Sequence, residues 1–249
     1  MTLITPTLSH TIEYEYIDRA LRSIWPAFID LEKEMKAFQP RTLESYHDFY
    51  MTEVSRIAAL DPKRDYSVIE HSVRERIKFQ AEPNRQFQEA FNERIMGQYV
   101  TVVMLSHALC EALINAILAV GLAKTNTAEL FAVLDKADFK QKWLIAPKAL
   151  DSKYEFPKSS ALYETLVKLA KQRNALVHHK VQLHVNGVKT LDGSGFQREQ
   201  YHKELSWLRR LFSLPYDLAN FSRARLQGNF HVILFDRHPI EQAIEHKLI

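Results

Sequence analysis

The stretch "YVTVVMLSHALCEALINAILAVGLA", residues 99–123, decides the fold class. It is almost entirely apolar, so it reads either as a membrane span or as the central helix of a bundle. His107, Glu111 and Asn115 interrupt it at intervals of four. That spacing puts them along one line of a helix, opposite Leu105, Leu109, Leu113 and Val120. A carboxylate at mid-bilayer costs on the order of 3 kcal/mol on insertion scales, and no Lys/Arg pattern flanks the stretch. The expectation is a helix buried on most sides, with one polar row facing a polar cleft, and no membrane partner. Glu111 in that row needs a cation, and Arg173 further along the chain is the expected one.

The rest of the chain reads the same way. It has 249 residues, with only 6 Gly and 9 Pro, too few for the many turns of an all-β protein. Apolar periodicity predicts a helix over 12–37, kinked or split by Pro26. Further helices are expected over 43–60 and 67–80. The "AEPN" at 81–84 reads as a break, followed by a long helix over 85–123. A short helix to Lys136, with Thr127 or Asn126 as N-cap, comes next. Residues 137–158 read as irregular. A helix from Ser159 or Ser160 to Lys180 follows, then "VQLHVNGVKTLDGSGF" as a hairpin-like loop, then a helix over 198–226. The state of "FHVILF" in the tail is left open. The expected class is therefore all-α, with a small hairpin-like loop.

Several function classes lose support at this stage. A net charge of +3 is too mild to prove a nucleic-acid partner by itself. Cys110 is the single cysteine, so no intrachain disulfide can form. The opening "MTLITPTLSHTIEYEYIDRA" lacks a basic segment followed by an apolar one, so no signal peptide is expected and the cytoplasm is the expected location. There is no His-Glu-x-x-His, no cysteine pair, no Gly-rich phosphate loop and no serine-nucleophile elbow. No metal and no cofactor are expected.

Within "LAKQRNALVHHKVQLH", 169–184, one residue is out of place. Leu162, Leu166, Leu169, Leu176 and Val177 form an apolar stripe, and Arg173 falls in its middle. An arginine keeps its charge, and burying it unpaired is costly. The stripe must therefore open there into a cleft, a counter-ion or a second subunit. Asn174 and His178, four apart, share one edge. The bare spacing is a loose pattern; Arg41/His47 and Arg225/His231 match it with one more spacer.

"QRNALVHH" in a helical bundle resembles the Arg-x₄-His signature of the HEPN superfamily. "LSHALCEALINAIL", with its inward Glu, and "FKQKW" are similar to segments of HEPN proteins from prokaryotic toxin–antitoxin and phage-defence systems. The resemblance covers about residues 86–226. It implies a HEPN-like helical bundle over 86–249, with 1–85 as an N-terminal helical extension of it or a separate helical unit. It also implies a metal-independent endoribonuclease, a toxin or defence effector, acting as a homodimer and restrained by an antitoxin or other regulatory partner. Arg173 and His178 would be the catalytic pair and Asn174 their polar neighbour. His179, Glu111, His107 and Asn115 would support them.

The chemistry suits these residue types. The 2′-hydroxyl of RNA can attack the adjacent phosphate if a base takes its proton and an acid protonates the leaving oxygen. Histidine is the side chain whose ordinary titration lies near neutrality. Arginine presents a fork of donors that matches phosphate. Residues 136–180 hold ten basic side chains against four acidic ones, which favours an anionic substrate. Lys168, Lys171 and Lys180 are the expected RNA contacts, with Trp143, Tyr154, Phe156 and Tyr163 as possible stacking rings. The competing reading is a non-catalytic HEPN-like module that binds RNA or a partner protein, with Arg173 locked to Glu111 as a structural ion pair.

Overall fold

A computed structural model describes residues 7–38, 43–178 and 198–226, and all their regular structure is helical. The chain is all-α. The loop expected over 181–196 and the "FHVILF" segment lie outside the described residues.

Helices α1 (Thr7–Ser23) and α2 (Trp25–Ala37) are separated at Ile24. Pro26 is the second residue of α2, where its missing N–H has no intrahelical acceptor to lose. This is the split expected of the 12–37 segment. Helix α3 (Leu43–Leu60) follows, then α4 (Tyr66–Lys124). Asp65 starts α4, its carboxylate accepting from the Ser67 amide and hydroxyl, both at 2.8 Å. The break expected at 81–84 is absent, and α4 runs through Pro83. The apolar stripe explains it. Val73 and Phe91 are both buried and about five full turns apart, so the buried face stays in phase across the proline.

The segment over 137–158 is not wholly irregular. It contains α6 (Phe139–Leu144) and a 3₁₀ turn over Ala146–Ala149. Asp138 caps α6, accepting from the Lys140 amide at 2.9 Å. Before it come a 3₁₀ turn over Ala128–Leu130 and α5 (Phe131–Leu134). Thr127 precedes that turn without capping it; its hydroxyl bonds Thr125 instead, at 2.7 Å. Helix α7 (Ala161–Val177) starts at Ser160, whose hydroxyl accepts from the Tyr163 amide. It ends at Val177, short of the expected Lys180. Helix α8 (Arg198–Arg225) is the last.

The chain divides into two compact units. One comprises the described residues of Met1–Ile29, Gln98–Gln182 and Glu204–Ile249. Its buried residues include Leu109, Cys110, Leu113, Ile114 and Leu118 of α4, Leu166 and Leu169 of α7, and Leu208 and Leu211 of α8. Trp25, Phe28 and Phe212 form an aromatic cluster in it, with ring centroids 4.9–5.3 Å apart. The other unit comprises the described residues of Asp30–Gly97 and Leu183–Lys203. Val54, Ile69 and Val73 pack together there, and Phe38 stacks on Phe87 at 3.7 Å. Glu53 binds both Arg56 and Arg76, which ties α3 to α4 in that unit.

Residues Arg85–Lys124 are long and apolar enough to cross a membrane, but 67% of their most apolar window is buried within the protein. The buried side chains are those of a bundle core.

Candidate functional site

The polar row of α4 and the end of α7 both belong to the first unit. His107 is buried, and its imidazole stacks on Phe139 at 4.0 Å. Its Nδ1 lies 3.9 Å from the Glu111 carboxylate. Burial is the main reason its pKa falls to about 4; Glu111 opposes the shift, Arg173 and Lys142 add to it, and Asp138 also opposes it. His107 is therefore neutral at pH 7 and cannot serve there as a general acid.

That depression makes a pH prediction. The unfolded chain protonates His107 near its ordinary value of 6.5, whereas the folded chain resists until about pH 4. Between those values the unfolded state holds the extra proton, so acidification removes stability, by about 3 kcal/mol at most. Urea unfolding at pH 7 and at pH 4.5 should show that wild type loses more stability than His107→Gln. Equal losses would contradict the assignment. Asp18 in the same unit works in the opposite sense. Burial raises its carboxyl pKa despite bonds from Tyr216 and Arg22, which is why the comparison with His107→Gln is the informative one.

Glu111 is half-exposed, and its partner is Lys142, not the expected Arg173. The Lys142 side chain is buried, and its Nζ donates to Glu111 at 3.0 Å and to Asp135 at 3.4 Å. The sequence reading counted Lys142 among the ten basic side chains of 136–180 that favour an anionic substrate. A usable signal was present: Phe139, Lys142, Trp143 and Ala146 recur at the spacing of a buried helical face, and all four are buried. Asn115, one turn beyond Glu111, is half-buried, and its Oδ1 has no partner among the described residues.

The stripe on α7 opens where Arg173 stands. Leu166 and Leu169 are fully buried, Leu162 and Leu176 half-buried, and Val177 is 41% exposed, which corrects its expected place in the core. Arg173 is half-buried and donates to the Asn174 Oδ1 at 3.2 Å. No carboxylate of the described residues lies within ion-pair distance of it. His178 is exposed and closes α7, its backbone N–H donating to the Asn174 carbonyl at 3.1 Å. The Asn174 side chain thus meets Arg173, whereas the His178 N–H makes the ordinary i to i+4 bond of the helix. His179 and Lys180 lie outside the described residues.

The other expected RNA contacts differ from one another. Lys171 is exposed. Lys168 holds its Nζ 3.9 Å above the Trp207 ring, whose Nε1 donates to Gln172 at 2.9 Å. Partial burial and then Arg210 lower the Lys168 pKa, while Glu204 opposes. The aromatic side chains are mostly core, not stacking platforms. Trp143, Tyr154 and Phe156 are buried, and the Tyr154 hydroxyl donates to the Trp143 carbonyl at 2.9 Å. Tyr163 is half-buried. Among the described residues no three His, Cys, Asp or Glu side chains are grouped to hold a metal ion.

Compared with family models, with characterised proteins and with solved structures, the chain shows no significant match.

Proposed function

We propose that this protein is an endoribonuclease of the HEPN kind, cutting RNA by attack of its own 2′-hydroxyl and leaving a 2′,3′-cyclic phosphate. The observation that carries the reading is the arrangement around Asn174. At the end of α7 stand a cation that bonds the Asn174 side chain and has no carboxylate partner among the described residues, and an exposed histidine five residues on. Arg173 would hold the scissile phosphate and stabilise the charge that develops on it. His178 would take the 2′-hydroxyl proton or deliver one to the leaving 5′-oxygen. His107, held neutral by burial, is left to pack against Phe139 and shape the wall behind. The alternative of a non-catalytic binding module drew on Arg173 being locked to Glu111. With Glu111 bonded to Lys142, that support is gone.

One copy of His178 per chain supplies one proton-transfer group, whereas in-line cleavage uses an acid and a base. A homodimer that brings two copies of His178 to a shared two-fold cleft would supply both. In that reading the protein is a toxin or defence effector, and a regulatory partner restrains it.

The test is purified protein with total RNA and with tRNA, with and without EDTA. Cleavage should persist in EDTA, since the proposed chemistry routes no step through a metal ion. Strict Mg²⁺ dependence would refute it. Light scattering should give a dimer, and mixing His178→Ala with Arg173→Ala subunits should alter activity; a strictly monomeric protein that cuts RNA would refute the shared cleft.

A further inference from the structure

Before the pair at its end, α7 carries further cations, and α8 adds one beside them. Lys171 stands seven residues before His178, on the same exposed face and about 10 Å away along the helix. Lys168 lies one turn further back, rotated toward α8. Its Nζ sits over the Trp207 ring, 3.9 Å from the centroid. That ring is held in place. Trp207 is buried on α8, and its Nε1 donates to the Gln172 Oε1 at 2.9 Å, one turn of α7 after Lys168. The ammonium of an exposed lysine is thereby fixed against α8 by a cation–π contact. Arg210 is exposed one turn beyond Trp207 on the same face of α8. Burial is the main cause of the lowered Lys168 pKa and Arg210 the second, while Glu204, one turn before Trp207, opposes. No carboxylate of the described residues lies within ion-pair distance of Lys168, Lys171 or Arg210. Like charges gathered on one surface and left unpaired repel, and a bound anion relieves them together.

We infer that Lys171, Lys168 and Arg210 form a track for the RNA backbone, leading from His178 across α7 to α8, with Trp207 as the positioning residue that holds Lys168 on it. The inference rests on the ribonuclease reading for the cut and deepens it. The substrate becomes a strand with several phosphates on one side of the cut, held by charge without regard to base. Arg210 and Trp207 join the site through this track, and neither stands out in the sequence.

Equilibrium binding tests this, with a single-stranded RNA of about 12 nucleotides, a length such grooves cover. The full chain carries His178→Ala so that the RNA survives. Adding Lys168→Gln and Arg210→Gln should weaken binding about tenfold, and make the plot of log affinity against log salt shallower by about 1.4, the contribution of two phosphate contacts. Adding Lys63→Gln and Arg64→Gln instead removes two exposed cations of the other unit and should leave the affinity as it was. Unchanged affinity in the first pair overturns the track, and so does an equal loss in both pairs, which would be an effect of net charge alone. Trp207→Phe keeps a ring under Lys168 and should retain the affinity, whereas Trp207→Leu should bind as weakly as Lys168→Gln. Equal affinity of the two Trp207 variants overturns its positioning role. The Lys168 and Arg210 arms decide the track even if Trp207→Leu does not fold. With His178 restored, the first pair should raise KM about tenfold on the same RNA and move kcat far less; a loss confined to kcat overturns the track. RNA that is cut while the first pair binds normally sinks the track and spares the ribonuclease reading. RNA held through the track and never cut does the reverse.

Discussion

His178→Ala should reduce RNA cleavage by about two to four orders of magnitude, the usual contribution of a positioned acid or base. Arg173→Ala should fall in a similar range, because an anion clamp on a developing phosphorane is worth about as much as one oxyanion-hole donor. Both substitutions should leave the fold intact. His178 is exposed beyond the last residue of α7, and Arg173 is half-buried and, among the described residues, hydrogen-bonded only to its neighbour. Circular dichroism and urea unfolding of the variants would check that. His107→Gln is the contrasting substitution, since it removes a buried side chain and should show first in stability and its pH dependence. Undiminished cleavage by His178→Ala would remove the histidine from the mechanism.

Trp143→Ala should destabilise the protein by about 3–5 kcal/mol, the range for deleting a large buried ring. Trp143 is fully buried on α6, between the capping Asp138 and the 3₁₀ turn that follows, and the Tyr154 hydroxyl bonds its carbonyl. Losing the ring leaves a cavity next to Lys142, whose hydrogen bonds depend on the position of α6. Trp143→Phe keeps part of the volume and should cost less. The sequence reading offered Trp143 as a ring for stacking on bases. A variant with unchanged unfolding midpoint but weakened RNA affinity would restore that role and contradict the burial.

The fold class was legible because the 99–123 stretch carries its polar residues in one line and its leucines in another. Both features belong to one helix and need no tertiary knowledge. The break at 81–84 was misread because a proline was weighed locally. The buried residues Val73 and Phe91 keep the helical phase across it, and a long, supported helix tolerates the loss of one hydrogen bond. Lys142 was misread for the opposite reason. Composition made it one of ten basic side chains counted toward an anionic substrate, while the spacing of Phe139, Trp143 and Ala146 placed it on a buried face. Arg173 was legible as a misfit on its stripe, but the pairing of Glu111 with Lys142 in its stead was not. Which carboxylate meets which cation depends on how α4, α6 and α7 approach, and no periodicity within a single helix records that. The end of α7 at Val177 was likewise hidden, since "HHK" continues the helical pattern on paper.

The central claim is that the 2′-hydroxyl of RNA is the nucleophile and that His178 moves the proton. The most direct measurement is the end chemistry of the cleavage products, made in EDTA from an RNA and from the same oligonucleotide with a single 2′-deoxy residue at the cut site. The account predicts 2′,3′-cyclic phosphate ends, or the 3′-phosphate from their opening, on the RNA, and no cut at the 2′-deoxy position. Products with 3′-hydroxyl ends, or equal cleavage of the 2′-deoxy substrate, would contradict it.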